Sequence, residues 1–176
     1  IRNESLRITS AGPYLIEYFA GPLRLLDVTD RTGPTVVSRV EGIFPTAIAA
    51  WPFVYARSEA AELMIYDFTK PTNPIRVPAT DVAGSWLLLK TEGNVLAALD
   101  VPPEGAGTLW LFDITNREKP QRRGSWTNVY QGTPIEMRGN FVFIGNAGTL
   151  EILDISNLAQ PRKAGEWSTG FLPGPA

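Results

Sequence analysis

The sequence predicts an all-β fold, a β-propeller built of four-stranded antiparallel blades. One phrase recurs four times: Leu, any residue, two apolar residues, Asp, an apolar residue, then Thr or Ser, with a Pro seven positions after the Asp. The aspartates are Asp27, Asp67, Asp113 and Asp154, which stand 40, 46 and 41 residues apart, and the prolines are Pro34, Pro74, Pro120 and Pro161. A period of this length is typical of propeller blades with four strands.

Composition supports one compact, soluble domain over residues 1–176. The chain is 44% apolar and 19% charged, enough to bury a substantial core. Its net charge of −2 gives no long-range attraction to nucleic acid or to an anionic membrane. The longest stretch without a charged residue, 42–56, contains two prolines and is too short to cross a bilayer. We therefore expect no nucleic-acid partner and no membrane insertion.

Four strands are expected in each period because apolar and β-branched runs alternate with turn residues. In the second period the elements are Thr46–Ala50, the turn Trp51-Pro52, Phe53–Ala56, the loop Arg57–Glu62, Leu63–Phe68, the turn Thr69–Pro74 and Ile75–Ala79. The fourth period has the same order, and the third is longer because an insertion lies in Val101–Thr108. The expected blades are about 5–40, 46–79, 85–126 and 133–167, and residues 168–176 would begin a further repeat.

The four aspartates could be calcium ligands or catalytic acids, but a structural role in the turn is favoured. Asp followed two residues later by Thr or Ser, at a strand exit, places short polar side chains next to free backbone N–H groups. A metal site would need several oxygens at one point, whereas equivalent positions on different blades lie far apart. We predict no metal site.

The absence of cysteine and histidine narrows the possible chemistry further. Disulfides, zinc sites built on Cys or His, haem ligation by either residue and imidazole-assisted nucleophiles are all excluded. Carboxylate acid–base chemistry remains possible. We expect no cofactor and assign no catalytic residue.

The tryptophans could form a stacking platform for sugars or bases, but packing between blades is favoured. Trp86 and Trp110 lie within apolar strands, and Trp126 and Trp167 occupy equivalent positions in outer strands. The basic residues near Trp126, at positions 117–123, are more typical of a solvated turn than of a nucleic-acid surface.

The phrases that run from Leu63 to Pro74 and from Leu150 to Asn157 resemble the LVIVD repeat of β-propellers in bacterial and archaeal surface or secreted proteins. The resemblance extends to glycines two positions before the signature Leu, at Gly21, Gly107 and Gly148. It implies a propeller fold and an extracytoplasmic location, whether secreted, periplasmic or at the cell surface. It implies no reaction and no catalytic residue.

We expect the chain to form part of a larger propeller, or an open array completed by further blades from the same or another chain. The residues from Gly170 onward resemble the connector that opens the second blade at Gly42. No cysteine or spare strand is available to fasten the first blade to the fourth. An open array would leave strand edges that invite pairing.

Two functions remain open: a non-catalytic binding or scaffold module for a protein or small ligand, and a carboxylate-based hydrolase or lyase at the mouth of the central channel. The first is favoured because the repeated residues are architectural. In a propeller, the connectors between blades and the loops between the second and third strands leave the same face, and these variable loops are the expected binding surface. The candidate binding residues are Glu41, Phe44, Asp81, Glu104, Asn128, Tyr130 and Gln131.

Overall fold

The structure, a computed structural model, contains sixteen β-strands and no helix within the residues it describes, which are 6–19, 21–42, 44–60, 62–78, 86–100, 102, 105–130, 134–146 and 148–168. None of these residues forms a helix that could cross a membrane.

Blade 1 comprises β1 (Arg7–Ala11), β2 (Tyr14–Phe19), β3 (Gly21–Asp27) and β4 (Thr35–Val40). Blade 2 comprises β5 (Thr46–Ala50), β6 (Phe53–Arg57), β7 (Leu63–Asp67) and β8 (Ile75–Val77). Blade 3 comprises β9 (Trp86–Glu92), β10 (Val95–Asp100), β11 (Gly107–Asp113) and β12 (Gln121–Val129). Blade 4 comprises β13 (Ile135–Arg138), β14 (Phe141–Asn146), β15 (Thr149–Asp154) and β16 (Arg162–Ser168).

Each blade is one antiparallel sheet whose strands follow chain order, with the signature strand third. This confirms the predicted fold class. The registers of the four blades coincide: the signature aspartates pair with Tyr14, Phe53, Val95 and Phe141 at the start of the second strands. Positions in different blades can therefore be compared residue by residue.

The apolar side chains of each signature strand alternate between two neighbouring blades, as the two-residue period of a strand requires. In β7, Leu63 and Ile65 pack towards blade 3, whereas Met64 and Tyr66 pack towards blade 1. We call the face towards the following blade the trailing face and the face towards the preceding blade the leading face. Both faces of blades 2 and 3 are covered, so their strands are apolar on both sides.

The core consists of three hydrophobic clusters, each between two consecutive blades. Ile16, Leu23 and Leu25 of blade 1 meet Val54 and Phe68 of blade 2. The second cluster joins blade 2 to blade 3 around Tyr55 and Phe112, and the third joins blade 3 to blade 4 around Leu111 and Val142. Burial between blades is thus the main stabilising contribution of the fold.

No comparable cluster of described residues joins blade 4 to blade 1, so the array is open, as expected for part of a larger propeller. The burial of the tryptophans agrees with an open array. Trp51, Trp110 and Trp126 pack against the three clusters, but Trp167, the counterpart of Trp126, is 61% exposed on the trailing face of blade 4. We predicted that Trp167 packs against a neighbouring blade, but no blade of the described residues covers it. The side chain of Trp86 lies outside the described residues.

Candidate functional site

The signature aspartates hold the turns between the third and fourth strands. Each carboxylate accepts a hydrogen bond from the backbone N–H two residues later, at N–O distances of 2.8 Å for Asp27, 2.7 Å for Asp67 and 2.9 Å for both Asp113 and Asp154. In the first three blades the threonine hydroxyl at that position donates to the same oxygen. This geometry is that of a turn-fixing Asx motif.

These hydrogen bonds favour the ionised carboxylate and lower the pKa of Asp27, Asp113 and Asp154. The Ser156 N–H, followed by the Ser156 hydroxyl and Arg162, lowers the pKa of Asp154 to about 2. The Thr115 hydroxyl and N–H lower the pKa of Asp113 in the same way, with a smaller contribution from Arg123. No group of three or more acidic residues that could hold a metal ion occurs among the described residues.

A cavity of about 320 Å³ lies on the face where we predicted recognition. It forms where the connector from blade 1 to blade 2 meets the loop between β6 and β7, the two kinds of segment expected to share one face. Its lining residues are Glu41, Gly42, Phe44, Ser58, Glu59, Ala60, Glu62 and Met64. The sequence identified the connector residues Glu41 and Phe44.

Three glutamates and two large apolar residues line this cavity, which we call the acidic cavity. Glu41, Glu59 and Glu62 supply the charges, and Phe44 and Met64 supply the apolar surface. The Glu41 side chain is 82% exposed and makes a loose ion pair with Arg39 at 3.9 Å. Among the described residues, Glu59 and Glu62 form no ion pair. The cavity therefore carries negative charge that the surrounding basic residues do not neutralise.

The loop that carries two of these carboxylates is closed by its own hydrogen bonds. The Ser58 N–H donates to the Glu62 carbonyl at 3.0 Å, and the Glu62 N–H donates to the Ser58 hydroxyl at 3.2 Å. These two bonds bring the ends of the loop together and fix its base. Sequence reasoning recognised the loop but not its role, because the acidic cavity depends on a connector some 15 positions earlier in the chain.

Phe44, which we predicted as a binding residue, is part of the hydrophobic core. Its side chain is 2% exposed, packs edge-to-face on Tyr66 with ring centroids 6.0 Å apart, and belongs to the cluster between blades 1 and 2. Phe44 also lines the acidic cavity. A change at Phe44 would thus damage the core as well as the cavity.

Two other predicted binding residues, Asn128 and Tyr130, do not line this cavity. Tyr130 is 49% exposed after β12, and Asn128 has a positive φ of 63° with its carbonyl accepting a bond from the Asn146 amide at 2.8 Å. These two residues belong to the junction of blades 3 and 4. Asp81, Glu104 and Gln131 lie outside the described residues. The predicted set is thus spread over at least two junctions.

A second cavity, of about 230 Å³, lies among the inner strands β1, β5 and β9. Its polar lining includes Arg7, Thr9, Tyr18, Thr46 and Lys90. Burial raises the pKa of Tyr18, which keeps the phenol neutral at physiological pH. Lys90 is paired with Glu136 of the next inner strand at 2.6 Å. This pairing leaves the second cavity less strongly charged than the acidic cavity.

Comparison with known proteins supports the fold. Residues 133–169 match the LVIVD repeat. Among solved structures, the chain resembles the computationally designed Ika4 protein, with 10% identity, a TM-score of 0.61 and coverage of 97% of this chain and 94% of Ika4. The designed Ika8 protein gives 12% identity and a TM-score of 0.64, covering 89% of this chain and 47% of Ika8. Apo AztD from Citrobacter koseri gives 13% identity and a TM-score of 0.65, covering 93% of this chain and 46% of AztD.

At these identities the likeness establishes the fold alone. The chain spans about half the length of Ika8 and AztD. No match was found among curated proteins. The four sheets and these comparisons identify the molecule as a β-propeller module with at least one LVIVD repeat.

Proposed function

We propose that this β-propeller module is a non-catalytic recognition domain that acts outside the cytoplasm and binds a basic side chain of a protein partner. The observation that carries the proposal is the acidic cavity, which is lined by three glutamates together with Phe44 and Met64. Loops on a rigid sheet frame are the usual place for such a site.

The chemistry of the acidic cavity fits lysine or arginine. These side chains combine an apolar stem with a cationic end, so the stem can lie on Met64 and the ring of Phe44 while the charge meets the rim. Arginine and lysine are hydrogen-bond donors without acceptors, and ionised carboxylates are acceptors without donors. The surplus negative charge also favours a basic partner over an acidic one.

Recognition explains this site better than catalysis does. A carboxylate enzyme needs an acid and a base held in fixed positions by neighbouring groups. Among the described residues, no hydrogen bond joins two side chains of the acidic rim, and Glu41 is largely solvated. Exposed carboxylates of this kind attract a cation but do not by themselves position a reacting bond.

The experiment is selection of displayed random peptides on the immobilised chain, comparing wild type with the double variant Glu59→Gln/Glu62→Gln. We expect wild type to enrich peptides that contain Lys or Arg beside an aliphatic residue. Since an exposed ion pair contributes about 0.2–1 kcal/mol, loss of both charges should weaken the selected peptides roughly two- to thirty-fold. High salt should weaken binding to wild type in the same direction.

Glu118→Gln is the matched control, because Glu118 is an exposed carboxylate in a turn between third and fourth strands, on the opposite face. It should leave affinity unchanged. Enrichment of peptides without basic residues, or equal binding by the double variant, would reject the basic-partner proposal.

The proposed extracytoplasmic location rests on the resemblance of the repeats to LVIVD-repeat propellers of surface and secreted proteins. Cell fractionation of the full-length gene product, with a cytoplasmic and a secreted marker as controls, tests it. Recovery with the cytoplasmic marker would reject this part of the proposal and leave the binding site untouched.

A further inference from the structure

The second cavity lies where the first strands of three consecutive blades meet. β1, β5 and β9 each stand at the inner end of their sheet, and each contacts the next. The Thr91 hydroxyl donates to the Ala49 carbonyl at 2.9 Å and so joins β9 directly to β5. In a propeller such strands line the central channel. The second cavity is therefore part of the channel wall, which further blades would extend without replacing these three strands.

The residues of this cavity come from equivalent positions of the three strands. In each strand, positions are counted back from the residue in register with the signature aspartate. The positions four and two residues earlier are Arg7 and Thr9 in β1, Thr46 and Ile48 in β5, and Leu88 and Lys90 in β9. Side chains two residues apart leave a strand on the same side. These six residues thus form two levels of one surface.

Every polar side chain that lines the second cavity can donate a hydrogen bond. Arg7 and Lys90 carry positive charge, and the hydroxyls belong to Thr9, Tyr18 and Thr46. No carboxylate is among the described residues that line it. A lysine ammonium has several N–H donors, so the bond from Lys90 to Glu136 leaves others available. The lining is therefore rich in donors and positively charged.

Thr46 supplies the clearest sign that something polar occupies this space. It is 5% exposed, and within the described ranges its hydroxyl forms no hydrogen bond with another residue. A buried hydroxyl without a partner costs free energy unless water or a ligand meets it. The second cavity is the space from which such a partner reaches Thr46.

Tyr18 places another hydroxyl close to the charge of Arg7. Burial raises the pKa of Tyr18, and the positive charge of Arg7 partly opposes that rise, so this charge acts at the phenol oxygen. A hydrogen bond with the backbone of Ala47 also holds Tyr18 against β5. The phenol stays neutral at physiological pH and keeps its O–H as a donor.

We propose that the second cavity binds a small oxyanion, a carboxylate or a phosphate group, which accepts hydrogen bonds from Arg7 and from the hydroxyls of Tyr18 and Thr46. An oxyanion offers several acceptor lone pairs and no donor, which matches a lining made of donors. The volume of about 230 Å³ suits a small ion or the anionic end of a longer molecule. A basic ligand would meet like charge here. The second cavity shares no lining residue with the acidic cavity, so the two sites can be tested separately.

The experiment is an NMR titration of the isotope-labelled 176-residue chain with sodium phosphate and, separately, with sodium acetate. Sodium chloride is exchanged for either salt so that the ionic strength stays constant. We expect saturable shifts of the amide signals of Thr9, Thr46 and Lys90 with at least one of the two anions. Tighter binding of phosphate would identify a phosphate group as the ligand, and tighter binding of acetate a carboxylate.

Two variants remove the proposed donors. Arg7→Gln should raise the dissociation constant about ten-fold, because a charged hydrogen-bond donor is lost. Thr46→Val keeps the shape of the side chain and removes its hydroxyl, so it should raise the dissociation constant about three- to ten-fold. In buffer without either anion, Thr46→Val should be at least as stable as wild type, since the unpaired hydroxyl is gone. A merely structural role of this hydroxyl would give the opposite change in stability.

Arg76→Gln is the matched control for charge. Arg76 is an exposed arginine in β8, the outer strand of blade 2, and does not line the second cavity. This variant should leave the dissociation constant unchanged. Glu59→Gln/Glu62→Gln should also bind the anion as wild type does, so that a failure of the peptide selection and a failure of anion binding are distinct results.

Three outcomes would reject the anion site. Shifts that never saturate with either anion would mean that the cavity binds neither. Equal affinity of wild type, Arg7→Gln and Thr46→Val would place the anion elsewhere on the chain. An equal loss of affinity in Arg76→Gln and Arg7→Gln would mean that net charge alone, and no specific site, attracts the anion.

Discussion

At the scale of single residues, the repeated aspartates illustrate how one local interaction is used four times. Each lies where a strand ends and accepts the N–H of the residue two positions later. This N–H lies beyond the end of the strand and has no hydrogen-bond partner in the sheet, so it needs the Asp carboxylate as its acceptor. The Asp side chain therefore fixes both the end of the strand and the direction of the turn that follows.

Asp67→Ala should lower the free energy of unfolding by about 1–2 kcal/mol, because the Thr69 N–H loses its acceptor and the turn loses its constraint. Urea unfolding of both proteins measures the difference. Asp67→Asn, which retains a side-chain oxygen acceptor, is the control and should lose less. Added calcium should change neither transition; a calcium-dependent stabilisation of wild type that the alanine variant lacks would instead indicate a metal ligand.

The lowered carboxyl pKa values predict acid sensitivity. Asp154 has a pKa of about 2 in the folded protein, and an unfolded aspartate has one of about 3.9. A group whose pKa is lower in the folded state stabilises it fully above the unfolded value, and this contribution disappears as pH falls towards the folded value. The free energy of unfolding should therefore decrease between about pH 4 and pH 2.

Urea titrations at pH 2 to 5 measure this decrease, and Asp154→Asn should show a shallower one, since it removes one of the groups that take up protons. If the variant and wild type lose stability in parallel over the whole range, the linkage to Asp154 is wrong.

At the scale of the elements, a turn of blade 4 lies so close to the outer strand of blade 3 that the strand has no room for a side chain at Gly124. A Cβ on Gly124 of β12 would collide with the Leu158 carbonyl, an atom of the backbone that cannot rotate away. The contact lies between blades 3 and 4, where Leu158 also packs against the hydrophobic cluster. Glycine at 124 is thus required by the neighbouring blade rather than by its own strand.

Gly124→Ala should cost about 1–3 kcal/mol of stability, because either the strand or the turn must shift to remove the collision. The control is Gly21→Ala in β3, where no atom lies within 4 Å of an added Cβ and the substitution should be nearly neutral. Thermal and urea unfolding compare the pair. Equal stability of the two variants would mean that the turn at Leu158 can move aside at little cost in free energy.

At the scale of the whole molecule, the blades were predictable because each repeated residue acts locally. The period gave the blade length, the alternation of apolar runs with turn residues gave the four strands, and the Asp, Thr and Pro gave the turn. The acidic cavity was not predictable in full, because Glu59 and Glu62 acquire a role only when their loop meets the connector of the preceding blade. The burial of Phe44 was not predictable for a related reason: Gly42 adopts a φ of 137°, and the Phe44 ring lies close to Gly42 and against Tyr66.

The open array also predicts how stability is distributed along the chain. Blades 2 and 3 pack on both faces, whereas blades 1 and 4 each pack on one, so local opening should cost less free energy at the two ends. Hydrogen exchange followed by mass spectrometry on the 176-residue chain should show the slowest exchange in β6, β7, β10 and β11. The signature strands β3 and β15 should exchange faster, although their ladders have the same pairing.

The signature strands of the middle blades, β7 and β11, serve as the internal comparison for β3 and β15. Uniform protection of all four blades would mean that the array unfolds as a single cooperative unit, and that packing on one face is enough to hold a terminal blade.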